Sequence, residues 1–191
     1  FSSSRNEAYA LWKNSDYVLL MDADMTLAVD HKFRKDKLIA DAYYINQFNG
    51  DLKYENIRLV KYNKDFLYKG VTHEYFDVNY AITDKLKQLS VTDCNDGGSR
   101  STKYQRDIKL LEDGLHNEPD NIRYLFYLAN SYKAVENYPR ALHFYKRRIE
   151  SQGWIEERYC ACAYAIQCLA ELAKPTFEVL SLAYYAQKLI P

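Results

Sequence analysis

A chain of 191 residues holds one ordinary domain or two small ones, and its 48% hydrophobic content is enough for a real core. Lysine plus arginine equal aspartate plus glutamate at 26 each, so no overall field recruits nucleic acid or an anionic membrane, and any basic site must be local. No stretch reaches the ~18 apolar residues needed to span a bilayer.

In chain order, Ser2-Ser3-Ser4 ahead of Ala8, Leu11 and Trp12 predict a capped helix with those last three as its apolar stripe. A helix running directly into an apolar strand is the second half of a strand-helix-strand unit. The sequence is therefore expected to be a piece of a longer nucleotide-binding α/β domain. Tyr17-Val18-Leu19-Leu20-Met21 is apolar on both faces and too short for a helix, which predicts a buried strand of a parallel sheet. It stops at Asp22 and Asp24. In open α/β sheets the carboxyl edge is where ligands sit, and side chains two apart on an extended segment share a face. Two converging carboxylates are best reconciled by a hard divalent cation, Mg²⁺ or Mn²⁺, bridging to phosphate oxygens. In the plainer reading one aspartate caps the next turn and the other is solvated.

A polar connection follows, with a short helix expected around Lys35 to Ile39. Asp41 to Phe48 leads into Asn49-Gly50, a strong hairpin signal, and Ile57 to Tyr62 reads as the next strand. After the Asn63-Lys64-Asp65 turn, Phe66 to Phe76 is extended. Within it Gly70 permits close backbone approach or a bulge, and His73-Glu74 sets two titratable groups side by side. That pair is either functional or part of the scaffold. Asp93 to Arg100, with paired glycines, is a loop. Its backbone amides, backed by Arg100 and Lys103, suit a diphosphate; a linker between two domains has the same composition.

From Lys103 onward the pattern is helical, with an internal period. Tyr138, Leu142, Tyr145 and Ile149 repeat Tyr104, Ile108, Leu111 and Leu115, and Tyr159, Cys162, Ala163 and Ile166 repeat Leu125, Leu128, Ala129 and Tyr132. The spacing of about 34 residues is that of the tetratricopeptide repeat. The middle unit resembles that family at Leu128, Ala129, Tyr132, Ala141 and Tyr145, with small residues where paired helices cross. The last helix, about Phe177 to Ile190, departs from the register and reads as a cap. The four cysteines fit neither a zinc hook nor a disulfide framework and read as small hydrophobes in a reducing, cytoplasmic compartment.

Taken together, Arg5-Asn6 on a helix, YVLLMDADM, a hairpin sheet, GVTHE, DGGSR with Lys103 and the following repeats resemble the inverting GT-A glycosyltransferases of family two, in the branch carrying repeats after the catalytic domain. The resemblance implies an α/β fold, the C-terminal part of a GT-A domain over residues 1–98, followed by an all-α tetratricopeptide array over 99–191. It implies transfer of a sugar from a nucleotide-diphosphate donor to an acceptor hydroxyl or thiol of a protein, peptide or glycan, with inactivity expected of these residues alone. Asp22 and Asp24 would hold the divalent metal, Asp24 more directly, and His73 would complete its shell or touch the diphosphate. Glu74 would be the general base, with His73 the alternative. Arg100 and Lys103 would clamp phosphates, and Arg5 and Asn6 would lie near the nucleotide. Two other readings stand beside it. One is a non-catalytic tetratricopeptide adaptor whose concave face, with Asn130, Lys133 and Arg147, binds a peptide. The other is a two-metal nucleotidyl or phosphoryl transferase, weakened by the lack of a Walker loop and of a third acidic residue at helical spacing.

Overall fold

A computed structural model describes residues 2–12, 14–94 and 102–190. The chain divides into a sheet unit, Phe1–Gly70 with Glu74–Ser99, and a helical unit, Val71–His73 with Arg100–Pro191.

The sheet unit is mixed α/β. It opens with α1 (Ser2–Ala10), then β1 (Tyr17–Leu19), β2 (Met25–Val29), a 3-10 turn (Lys35–Lys37), β3 (Ala42–Asn49), β4 (Leu52–Lys61), β5 (Leu67–Lys69), β6 (Tyr75–Asp77) and β7 (Thr83–Asp93). Five strands form one sheet in the order β1-β4-β3-β7-β2, while β5 and β6 make a separate antiparallel ribbon. The hairpin signal is realised: Asn49 pairs with Leu52, and Gly50 turns the chain at φ 54°. That backbone region is costly for residues with a Cβ. On β3, Tyr43 and Ile45 pack to one core with Leu59, Leu89 and Val91. Ala42 and Val60 pack to a second core with Tyr9, Leu20 and Phe66. Apolar residues on both faces of the central strands are what a sheet covered on both sides requires.

Three expectations are corrected. The YVLLM run is not a buried parallel strand: β1 is three half-buried residues at the end of the sheet, antiparallel to β4 through Tyr17–Lys61 and Leu19–Leu59. Among the described residues only β3 and β7 pair in parallel. Nor do Asp22 and Asp24 stand on one extended face. The Met25 amide donates to the Asp22 carbonyl at 3.1 Å, closing a turn, a place where aspartate at the first position is favoured. Finally, Leu11 is 76% exposed and Ala8 is also exposed; α1 buries Tyr9 instead. Tyr9 wins that place because its hydroxyl both donates to the Asn63 carbonyl and accepts from the Asn63 amide, each at 3.1 Å.

The helical unit contains α2 (Lys103–Asn117), α3 (Ile122–Ala134), α4 (Tyr138–Glu150), α5 (Ile155–Glu171) and α6 (Thr176–Leu189). Each helix packs on the next. Asn121 and Asn137 cap α3 and α4 by accepting from the Tyr124 and Arg140 amides. Leu128, Ala129, Tyr132, Ala141 and Tyr145 all lie in the shared core. At Gly114 a Cβ would meet the Tyr124 ring at 3.0 Å, so α2 and α3 approach closely there. Cys162 and Cys168 are buried, Cys160 is half-buried and Cys94 is exposed; all four are free thiols. Burial pushes the Cys162 and Cys168 thiols up. No helix among the described residues is long and apolar enough to cross a membrane.

Candidate functional site

The strand-to-turn junction after β1 brings Arg5 and Arg58 together on Asp22. The Asn6 side-chain amide donates to the Tyr68 carbonyl at 3.0 Å and accepts from the Tyr68 amide at 2.7 Å, which pins α1 to β5. This fixes the neighbouring Arg5 against Asp22, with Arg5 Nη1 paired to Asp22 Oδ1. The Arg5 guanidinium also lies over the Tyr68 ring, 5.2 Å from its centroid. Burial works against the charge of Arg5, but the hydrogen bond and attraction of Asp22 prevail and hold its pKa above the ordinary value. Burial likewise raises the Tyr68 phenol, despite the nearby guanidinium.

A second cation stands behind the first. Arg58 is buried in β4, with Nη1 3.7 Å from Asp22 Oδ2. Its Nε and Nη2 fork onto Gln47 Oε1 at 3.1 and 2.9 Å, and Nη1 donates to the Leu20 carbonyl at 3.4 Å. Arg58, Gln47 and Tyr68 are absent from the sequence-level site. Arg58 was detectable as a lone charge inside Ile57-Arg58-Leu59-Val60, because an arginine within an apolar strand must be paired once buried. Glu74 lies near enough for its charge to stabilise Arg5, and its Oε1 is buried with no hydrogen-bond partner among the described residues. The half-buried Asp24 carries no side-chain hydrogen bond or ion pair there, while its carbonyl accepts from the Cys94 amide at 2.9 Å.

In the helical unit, His73 takes a left-handed backbone, φ 50°, and its ring stacks on Tyr127 with centroids 4.0 Å apart. Arg123 donates to the His73 carbonyl at 2.8 and 3.2 Å. Burial lowers the imidazole's pKa; Asp107 opposes that shift, while Lys103 and Arg123 reinforce it. Asp107 is fully buried, with Oδ1 accepting from Thr72 at 3.3 Å and from Arg106 at 3.1 Å, and with no hydrogen-bond partner for Oδ2 among the described residues. Asp107 was legible as a polar residue on the buried Asp107-Leu111-Gly114 stripe. Lys103 opens α2 with its ammonium near the Tyr104 ring. Arg100 lies outside the described residues. On α3, Asn130 accepts from the Tyr145 hydroxyl at 2.6 Å, and Lys133 bonds Gln167 above the Tyr164 ring; Arg147 donates to the Pro119 carbonyl at 3.0 Å.

Among the described residues no group of three or more His, Cys, Asp or Glu is placed to share a metal ion. Mg²⁺ does not require one, since it is commonly held by one or two carboxylates and completed by substrate phosphates and water. Asp24 offers a carboxylate that fits this pattern; Asp22 is engaged by Arg5. A cleft of about 830 Å³ in the sheet unit, lined by Tyr17, Leu27, Phe33 and Ile39 among others, includes neither Asp22 nor Asp24.

No protein-family model matches the chain. Two curated proteins are similar to it: the SPbeta prophage-derived glycosyltransferase SunS of Bacillus subtilis (strain 168) and glycosyltransferase SunS of Bacillus phage SPbeta. Each is 22% identical over 200 residues, covering 95% of this chain and 47% of the relative, so the chain spans about half the length of the curated relatives it matches. The chain is thus distantly similar to a glycosyltransferase along almost its whole length.

Proposed function

We propose that this chain belongs to a metal-dependent, inverting glycosyltransferase of the GT-A type that moves a sugar from a nucleotide-diphosphate donor to an acceptor hydroxyl or thiol. The observation that carries this reading is the similarity to glycosyltransferases over 95% of the chain. The cluster of Asp22, Asp24, Arg5 and Arg58 at the end of β1 supports it. Residues 1–98 would form the transferase part. Residues 99–191 would form tetratricopeptide-like repeats that bind the acceptor or a partner, a reading supported by the burial of Leu128, Ala129, Tyr132, Ala141 and Tyr145. A cytoplasmic site of action fits the four free thiols.

In this scheme Asp24, with Asp22, would hold the divalent ion. The ion's contribution when bound is Lewis-acid neutralisation of charge on the departing diphosphate. Arg58, locked by Gln47, keeps positive potential beside the phosphates without needing to move. Glu74, whose Oε1 is buried with no hydrogen-bond partner among the described residues, would accept the proton of the acceptor nucleophile.

The test is Asp24→Ala in the full-length protein, assayed against a panel of nucleotide-diphosphate sugars. Turnover is expected to fall by about a hundredfold or more. Undiminished turnover would remove the aspartates from the chemistry. Binding of a peptide to the repeats with no turnover from any donor would favour the adaptor reading, which the Lys133 ammonium over Tyr164 on the α3–α5 face supports.

A further inference from the structure

Arg5 is paired with Asp22, one of the two carboxylates that would hold the cation. The two guanidinium groups at this carboxylate differ in their freedom. Arg58 is bound on three sides, to Gln47, Leu20 and Asp22, and its side chain is only 10% exposed. Arg5 projects from a short helix with its side chain 37% exposed, and its ion-pair partner among the described residues is Asp22. A divalent charge arriving at Asp22 repels both, and only the less constrained one can yield.

Glu74 offers an acceptor: its Oε1 is buried with no hydrogen-bond partner among the described residues. Such an oxygen costs free energy until a donor reaches it. A guanidinium presents five donors, and the charge of Glu74 already acts on Arg5.

We propose that Arg5 is an exchangeable counter-ion: it neutralises Asp22 in the empty site, and leaves for Glu74 when a divalent cation and a diphosphate take the carboxylate. The proposal rests on the transferase reading for the identity of those ligands. Its consequence is that Arg5 orients Glu74 only when the donor side is loaded.

The experiment measures Mn²⁺ binding to the full-length protein from the electron paramagnetic resonance signal of the free ion, with Mn²⁺ alone and with Mn²⁺ plus pyrophosphate. Arg5→Gln should bind Mn²⁺ alone about tenfold more tightly than the unsubstituted protein, because the competing cation is gone. Arg5→Lys, which keeps a charge at the site, should stay near the parent value. Glu74→Gln should weaken Mn²⁺ binding several-fold when Arg5 is present and leave it unchanged in the Arg5→Gln background, a coupling a double-mutant cycle reads directly. Equal affinity of the parent and Arg5→Gln proteins, with binding lost in Asp24→Asn, overturns the exchange and leaves the metal site standing. Absence of Mn²⁺ binding in every form, or binding indifferent to Asp24→Asn, overturns the exchange together with the donor-site reading. Should Arg5→Gln fail to fold, unchanged Mn²⁺ affinity in Glu74→Gln is by itself enough to refute the exchange.

Discussion

Asn6 meets Tyr68 at both ends of its amide, donating to the carbonyl and accepting from the N–H, as a neighbouring strand would. This side chain supplies β5 with the pairing that α1 cannot offer through its own backbone. It also sets the residue beside it, Arg5, against Asp22. Asn6→Ala is expected to cost about 2 kcal/mol in urea unfolding, since two partly buried backbone groups lose their partners. Asn6→Asp keeps only the acceptor and should fall between the two. A cost below about 0.5 kcal/mol for the alanine form would mean that water replaces the amide freely.

Arg58→Met removes the fork onto Gln47 and the neighbour of Asp22 in one step. The loss expected is about 2–4 kcal/mol, because buried Gln47 Oε1 loses both Arg58 donors and keeps the long 3.4 Å bond from Asn56 Nδ2. Replacing Gln47 with Leu as well should recover part of it, which a four-protein denaturation cycle measures.

In the helical unit, Arg148 donates from Nε to Glu157 Oε1 at 2.6 Å with its side chain wholly buried, and its Nη1 and Nη2 donate to the Gln152 and Trp154 carbonyls. Glu157→Gln should destabilise the protein by about 3 kcal/mol by leaving a buried cation without its counter-charge. The paired change Arg148→Met with Glu157→Leu is expected to cost less than that single substitution, a difference that thermal unfolding of the two proteins resolves.

His73 gives the stability a pH dependence of known sign. Its folded pKa lies below the ordinary 6.5, chiefly through burial. The unfolded chain therefore takes up the proton first on acidification. The contribution is complete above about pH 6.5 and is lost as the pH falls through the folded value. His73→Asn, a residue that tolerates the left-handed backbone, should flatten the difference in unfolding free energy between pH 7.5 and pH 5. An unaltered difference would assign the acid sensitivity to other groups.

Legibility in the sequence followed how local each determinant is. The hairpin at Asn49-Gly50 and the short turn at Lys35 could be read because neighbouring residues specify them. β7 could not, because its pairing with β3 jumps from Tyr44–Lys85 to Asn46–Ser90, and the extra residues break the alternation of Leu86, Leu89 and Val91. β2 was hidden in the same way: Leu27 and Val29 remain partly exposed on an end strand, so Met25–Val29 shows no core pattern. At the candidate site Arg5, Asp22, Asp24 and Glu74 were visible as residue types. Arg58 was visible there only as a lone charge in an apolar strand, and its role, like that of Tyr68, was not, because those roles arise from partners 36 and 63 positions away, Asp22 and Arg5.

The parallel alignment of β3 with β7 also bears on how the sheet is assembled. The β3–β4 hairpin closes over two residues and can form within microseconds. The other side of β3 must wait for Thr83–Asp93, after the whole of β4, β5 and β6 has been laid down. Until then the row of amides and carbonyls from Ala42 to Asn49, flanked by Tyr43 and Ile45, is an open template for another copy of the same strand. Self-association during refolding should therefore begin at β3, and rise steeply with protein concentration.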